Sequence, residues 1–406
     1  MEDTDQTTPG ALAGLTVVDL SRVLGGPFCT QILGDHGARV VKIEPPQRDE
    51  TRGWGPPFQG DAASYFIGLN RNKLGAALDL STAEGREALM ALLSQADVLV
   101  ENFKPGTLER WGIGYEQCLA ARFPRLVHCR VSGFGADGPM GGLPGYDAVA
   151  QAMCGLMSVN GERGAEPLRM GIPVVDMATG MNAAIGILMA LHERARSGRG
   201  QFVEATLYDS ALALMHPHAP NYFLSGQAAG RTGNAHPNIC PYDAFPTATC
   251  QIFLAVGNDV QFARLCAVLG DEAMARDGRF VDNRARLRHA QALRARLVEL
   301  LGSRDGAALA TRLMEAGVPC GPVLDVAGAL AHPHARARAR EVVVGDYRGL
   351  ASPICLSRTP ATYRLAPPTF GRDTQAVLAA AGCASEPGQG PASGVIEASQ
   401  DATPES

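Results

Sequence analysis

The sequence predicts an α/β protein: a doubly wound parallel sheet in the larger part and a smaller α+β unit in the second half. Three observations predict it. Strand-like and helix-like stretches alternate through the first half, the pattern of repeated βαβ units. The chain has 406 residues, enough for two or three domains. It is 46% hydrophobic and only 19% charged, which suits a large core and a sizeable oligomer interface.

The elements follow in order. "LTVVDLS" (15–21) is an apolar, β-branched strand candidate. "GGPFCTQILGDHGA" (25–38) follows as a helix, with Pro27 where the first turn tolerates it. "ARVVKIEPP" (38–46) is a second strand. "GAALDLSTAEGREALMALLSQADVLVEN" reads strand, helix, strand, with Ser81 and Glu84 at capping-box spacing. "FPRLVHCRVSGFG" (123–135) ends in another strand. A Gly/Pro-rich loop (133–147) leads to a helical stretch at 146–158, then "PVVD" and a long apolar helix. Residues 217–245 hold many breakers and read as a connector. The α+β unit opens with "ATCQIFLAVGNDVQFARLCAVLG" and runs to about 330. "GLASPICLSRTPATY" reads as a returning strand pair, and 383–406 as a polar, disordered tail.

Composition excludes several functions. A net charge of −5 without a basic run argues against nucleic acid. The acidic start "MEDTDQTTPG" is neither a secretory signal nor a transit peptide. No apolar stretch reaches the roughly 18 uninterrupted residues of a membrane span. The ten cysteines form no C-x-x-C pair and fit a reducing cytoplasm. Two H-P-H pairs, His216/His218 and His332/His334, supply no third ligand, so no metal site is expected.

Gly133, Gly135 and Gly138 spell G-x-G-x-x-G, but Pro139 and more glycines follow where a helix would have to start, so a dinucleotide site is not expected there. Gly25-Gly26-Pro27 turn a strand into a helix, which is either an anion site at free amides or a tight turn. Arg48, Arg52, Arg71 and Lys73 lie in loops beside Gly and Pro and suit phosphate contacts or plain solvation. Asn102 and Phe103 directly follow a strand end, where ligands gather in open α/β sheets. Asp176 opens the long apolar helix. It reads as a helix N-cap or as a nucleophile. As nucleophile it attacks a thioester to give a mixed anhydride and a thiolate. The thiolate then re-attacks to form an enzyme-acyl thioester.

Five stretches carry a resemblance: "VVDLSRVLGGPFCTQILGDHGARVVKIEPP", "NRNK", "ADVLVENFKPGTLERWGIGYE", "GYDAVAQAMCGLM" and "VVDMATGMNAAIGILMALHERARSGRGQFVEATLYDSALAL". Together they resemble the class III (formyl-CoA transferase-like, CaiB/BaiF) CoA-transferases over roughly residues 12–380. The resemblance implies a Rossmann-like large domain built from both ends of the chain, a smaller middle domain and an interlocked homodimer. On that basis the large domain takes 1–216 and 331–382, the connector 217–245 and the small domain 246–330. It also implies a cytoplasmic enzyme that permanently binds no cofactor, has no nucleic-acid or membrane partner, and takes a coenzyme A thioester and a free carboxylic acid as substrates. The catalytic aspartate falls on Asp176, and CoA contacts fall near Val23, Leu24, Lys73, Asn102, Phe103 and Arg110.

Two departures matter. Pro45 stands where formyl-CoA transferase has an arginine, so adenine or phosphate contacts there differ. The glycine-only flap of formyl- and oxalate-specific members is replaced by "AHPNICPYDAF" and "AVGNDVQF". The chain looks most similar to the succinyl-CoA-dependent dicarboxylate members, of the succinate–hydroxymethylglutarate (glutarate) type. A dicarboxylate needs a cation for its spare carboxylate. Arg52 and Arg169 are the candidates, with His236 as a polar neighbour. An α-methylacyl-CoA racemase is the alternative within the superfamily, but Tyr146 stands where its histidine base would be, and a phenol is a poor base at neutral pH. A non-catalytic CoA-binding protein is the alternative outside catalysis.

Overall fold

The computed structural model describes residues 9–383. The tail expected at 383–406 lies, apart from its first residue, outside the described residues. The chain divides into two compact units. One takes the residues up to Gly155, Gly171–His216 and those from Ala337 onward; the other takes Leu156–Met170 and Pro217–Arg336.

Six strands form the sheet of the first unit: β1 (Thr16–Asp19), β2 (Arg39–Glu44), β3 (Lys73–Ala77), β4 (Val98–Glu101), β5 (Val127–Ser132) and β6 (Phe202–Thr206). All pairings are parallel, in the order β3-β2-β1-β4-β5-β6. The order reverses direction between β1 and β4, and in such sheets this switch point opens a crevice beyond the strands' carboxyl ends.

Successive strand residues point to opposite faces, so a sheet covered on both sides needs continuous apolar runs. Val18, Val41 and Leu99 pack on one face with Leu89 and Leu93 of the helix Ala83–Leu93. Val17, Val40, Val98 and Val100 pack on the other face with Leu33, Ala183 and Ile187. The helices of this unit include α1 (Gly25–Asp35), α2 (Ala83–Leu93), α3 (Asp147–Met153), α4 (Val174–Ser197) and α5 (Leu207–Ala213). Of these, α4 is 24 residues long and, by length and composition alone, apolar enough to cross a membrane. Its Val175, Ala183, Ala184, Ile187 and Ala190 are buried.

The edge strand β3 is closed by the end of the described chain. Asp373 accepts the Gly75 N–H and Thr374 Oγ1 accepts the Ala77 N–H, at 2.8 and 3.0 Å. Val377 and Leu378 then join the core.

The second unit has a three-stranded antiparallel sheet, β7 (Tyr242–Pro246), β8 (Gln251–Ala255) and β9 (Cys320–Pro322), with β8 in the middle. Its own core contains Phe245, Ile252, Leu254, Phe262, Leu265, Leu297 and Leu313.

Three local expectations are corrected. The helix α2 is capped by Thr82, which accepts the Gly85 N–H, while the Ser81 hydroxyl bonds Asp79 instead. The stretch 217–245 holds a helix, His218–Ser225, and most of β7, because Pro220 falls in a first turn that lacks the amide partner anyway. The returning strand pair is a hairpin at Glu341–Val344 and Tyr347–Leu350. Residues 353–362 are irregular, since Pro353 and Pro360 have no N–H for a ladder.

Candidate active site

The switch-point crevice is a cleft of about 260 Å³. Arg22, Val23, Leu24 and Gly25 line it from the turn after β1; Asn102 and Phe103 line it from the end of β4. Ser132 ends β5 and Gly133 follows it, Tyr146 precedes α3, and Asp176 comes from the first turn of α4.

A buried ionic cluster shapes the turn after β1. Asp19, at the end of that strand, accepts bonds from Ser21 N, Ser21 Oγ, Thr30 Oγ1 and Lys73 Nζ. Burial opposes its ionisation, but Lys73, Lys42 and the two hydroxyls outweigh this and hold it below the usual carboxylate range. Asn102 then clamps the turn, accepting the Arg22 N–H at 2.9 Å and donating to the Arg22 carbonyl at 2.7 Å. Between these anchors Val23 sits at φ +70°, a conformation a β-branched residue adopts only under constraint. The turn delivers the chain into α1, whose N-terminus has no side-chain cap. The first-turn amides of a helix have no partner within it, and Pro27 has none to offer, which leaves Gly25 and Gly26. Gly26 has to be glycine, because a Cβ there would lie 2.3 Å from the Ser21 side chain.

Asp176 lies beside that N-terminus. A Cβ on Gly25 would stand 3.9 Å from its Oδ1. Among the described residues its carboxylate has no hydrogen-bond donor. It is also not the cap of its own helix, so that expectation is corrected. Asp147 caps α4 from outside it, its Oδ2 accepting Val175 N–H at 2.7 Å and Asp176 N–H at 3.1 Å. Gln151 donates to the other Asp147 oxygen. Burial, then the Asp147 charge, push Asp176 up to about 7. Tyr65 is pushed up to about 12 by burial and by the charges of Asp176 and Asp147.

The expected site residues divide. Val23, Leu24, Asn102, Phe103 and Asp176 come together at the cleft. Lys73 does not reach it. It is fully buried, and Asp19, the Pro27 carbonyl and Asn70 take its ammonium. Arg52 is corrected likewise: Glu44 holds its guanidinium in a two-bond fork, Asp61 pairs with it, and it lies 3.7 Å over the Phe66 ring. Arg110 is exposed and bonds Thr107. Arg169 and His236 belong to the second unit. There Arg169 is exposed and bonds the Met170 carbonyl, and His236 accepts the Asn238 N–H and packs on Tyr242.

Sequence reasoning missed Arg22, Tyr65 and Asp147 as site residues. Arg22 lines the cleft, and its buried Nε has no partner among the described residues. It also lines, with Phe103, a second cleft of about 260 Å³ bounded by Pro45, Leu78, Leu80 and Trp111. The two clefts share Arg22 and Phe103 as lining residues.

The chain also matches known proteins along most of its length. The model of CoA-transferase family III matches residues 12–374. The succinate–glutarate CoA-transferase of Agrobacterium fabrum is 39% identical over 383 residues, covering 91% of this chain and 95% of that protein. The acetyl-CoA:oxalate CoA-transferase of Acetobacter aceti is 38% identical, covering 87% and 92%. A solved CaiB/BaiF family protein from Brucella suis superposes with a TM-score of 0.83 at 39% identity, covering 92% of this chain and all of that one. An acid at the switch-point cleft, a family match along most of the chain and relatives this similar lead to one conclusion: the chain belongs to CoA-transferase family III, enzymes that move CoA between acyl-CoA thioesters and carboxylic acids.

Proposed function

We propose that this chain moves CoA from succinyl-CoA to a free dicarboxylic acid through a covalent intermediate on Asp176. The observation that carries this reading is the placement of Asp176: a carboxylate in the cleft, unsupported by any donor among the described residues, beside the uncapped amides of Gly25 and Gly26. A carboxylate tied up in ion pairs, as Glu44 is, makes a poor nucleophile.

The steps follow from that placement. An Asp176 oxygen attacks the donor's thioester carbon, and the CoA thiolate leaves. The thiolate attacks the aspartyl carbon of the resulting anhydride, and the donor acid departs as a carboxylate, leaving an aspartyl–CoA thioester. The acceptor carboxylate attacks that thioester and again expels the thiolate. The thiolate then attacks the acceptor's carbon and frees Asp176, which now carries one oxygen from the acceptor. Each addition places an oxyanion in the cleft, within the field of the α1 N-terminus.

Arg22 and Lys104 are the cations that line the cleft, and we assign them to the anionic parts of CoA or to the acceptor's spare carboxylate. Val23, Leu24 and Phe103 supply apolar walls. The dicarboxylate class is supported by the relatives, whose names give glutarate and oxalate, both dicarboxylates. A homodimer is supported by Met181, Ile185 and Met189, an apolar stripe at helical spacing on the solvent side of α4.

The test uses succinyl-CoA and glutarate labelled with oxygen-18 in both carboxylates. One labelled oxygen is expected in the peptide containing Asp176 after turnover. Asp176→Asn and Asp176→Ala are expected to lose transfer by at least about 10³-fold while still binding CoA. An unlabelled peptide from enzyme that has turned over refutes the covalent mechanism.

A further inference from the structure

The amides that open α4 point to a role for a residue outside that helix. The Val175 and Asp176 N–H groups are both spent on Asp147 Oδ2, although an acid of α4's own first turn, Asp176, stands next to them. A helix N-terminus ordinarily stabilises the nearest carboxylate and makes it a weaker base. Here that support goes to a neighbour 28 residues away in sequence. Asp147 is itself fixed, buried at 7% exposure and held on its other oxygen by Gln151 one turn along α3.

We propose that Asp147 is a positioning residue for the reaction: it takes the two amides that begin α4, orients the first turn, and leaves the Asp176 carboxylate in the cleft as an unsupported nucleophile. This rests on the reading of Asp176 as the group that forms the acyl bond. A nucleophilic carboxylate has to be ionised yet reactive. Hydrogen bonds from the helix would ensure the first at the cost of the second, because each bond holds the electron pair that must attack. Asp147 sets this balance toward reactivity, at the cost of raising the pH at which Asp176 ionises. Its charge saturates the helix terminus, so the turn stays capped and rigid, while Asp176 keeps its lone pairs.

The neighbouring charges support this assignment. The ionisable groups on the elements packed against α4 are Cys29 and Asp35 on α1, Asp147 on α3, Tyr208 and Asp209 on α5, His128, Cys129 and Arg130 on β5 and Glu204 on β6. Arg22, Glu50 and Lys104 face Asp176 across the cleft, and Tyr65 lies close enough to feel its charge. Among all of these, Asp147 is the one whose charge acts on Asp176, in the same direction as burial.

The experiment measures the rate of a single half-reaction, formation of the CoA adduct on the Asp176 peptide from succinyl-CoA, between pH 5 and 9. It compares the full chain with Asp147→Asn and Asp147→Ser. Both variants keep an oxygen that can cap a helix, and neither carries the charge. The acidic limb of the profile is expected to move down by about one pH unit or more. The plateau rate falls, and the concentration of succinyl-CoA giving half-maximal rate changes less than about two-fold, because Asp147 touches no substrate. A folded Asn or Ser variant whose acidic limb stays in place overturns the proposal. So does failure of both variants to fold, which would assign Asp147 to stability alone. If the unmodified chain forms no adduct at Asp176, the nucleophile reading fails instead.

Discussion

Asp176 carries a pH-dependent cost to stability. Its carboxyl is raised from 3.8 to about 7 in the folded chain, first by burial and then by Asp147. The folded state therefore holds its proton through a pH range in which the unfolded chain has released it. Stability falls as pH rises from about 4 through about 7, and it is restored on acidification. The full cost of ionisation is at most about 4 kcal/mol, and partial exposure reduces it to roughly 1–2 kcal/mol. Asp176→Asn is expected to stabilise the chain by about that amount at pH 8 and by nothing near pH 4. Urea denaturation at the two pH values checks this, and equal gains at both would refute it. The place of Asp176 in the first turn of a long apolar helix was legible in the sequence, because a lone acid there is conspicuous. Its cap was not, because Asp147 reaches α4 across 28 residues and local capping patterns extend only three. Lys73 and Arg52 misled for a related reason. A cation in a Gly/Pro-rich loop looks solvated or ligand-bound until its long-range partners, Asp19 and Glu44, are in view.

Among the elements, α1 and α4 are the pair that makes the site. They cross where Gly180 meets the first turn of α1, and a Cβ on Gly180 would lie 2.6 Å from the Gly25 carbonyl oxygen and 3.1 Å from the Phe28 ring. Gly180→Ala is expected to push the helices apart, destabilise the chain by about 1–3 kcal/mol and lower transfer more than CoA binding, because Asp176 moves away from the Gly25 amide. An unchanged melting temperature with normal turnover would contradict this. The β1–α1–β2 order was readable because Val17, Val18, Val40 and Val41 form short apolar runs, and glycine and proline punctuate the turn between strand and helix. The cap on α2 was misplaced by one residue, from Thr82 to Ser81, since both are good caps and only the backbone conformation selects between them.

For the whole molecule, the sheet order 3-2-1-4-5-6 explains why a single cleft collects residues from such distant parts of the sequence: the turns after β1 and β4 diverge there, and α4 closes the gap. The outer side of α4 remains apolar, with Met181, Ile185 and Met189 at 46%, 49% and 67% exposure. Ile185→Asp combined with Met189→Asp is expected to halve the mass measured by light scattering, with the sheet's circular dichroism retained. A monomeric mass for the unmodified chain would refute the proposed dimer. The alternation of strand and helix made the sheet visible from sequence. Which acid the enzyme accepts was not visible there, since relatives of nearly equal identity are named for glutarate and for oxalate.

The seal over β3 by Asp373 and Thr374 has a consequence for how this protein is made. A strand edge with bare amides invites pairing with any other extended chain. The residues that cover this one follow it by 298 positions in the chain. Until they emerge, the nascent sheet presents a sticky margin to its neighbours, so the aggregation risk lasts through the synthesis of the intervening residues.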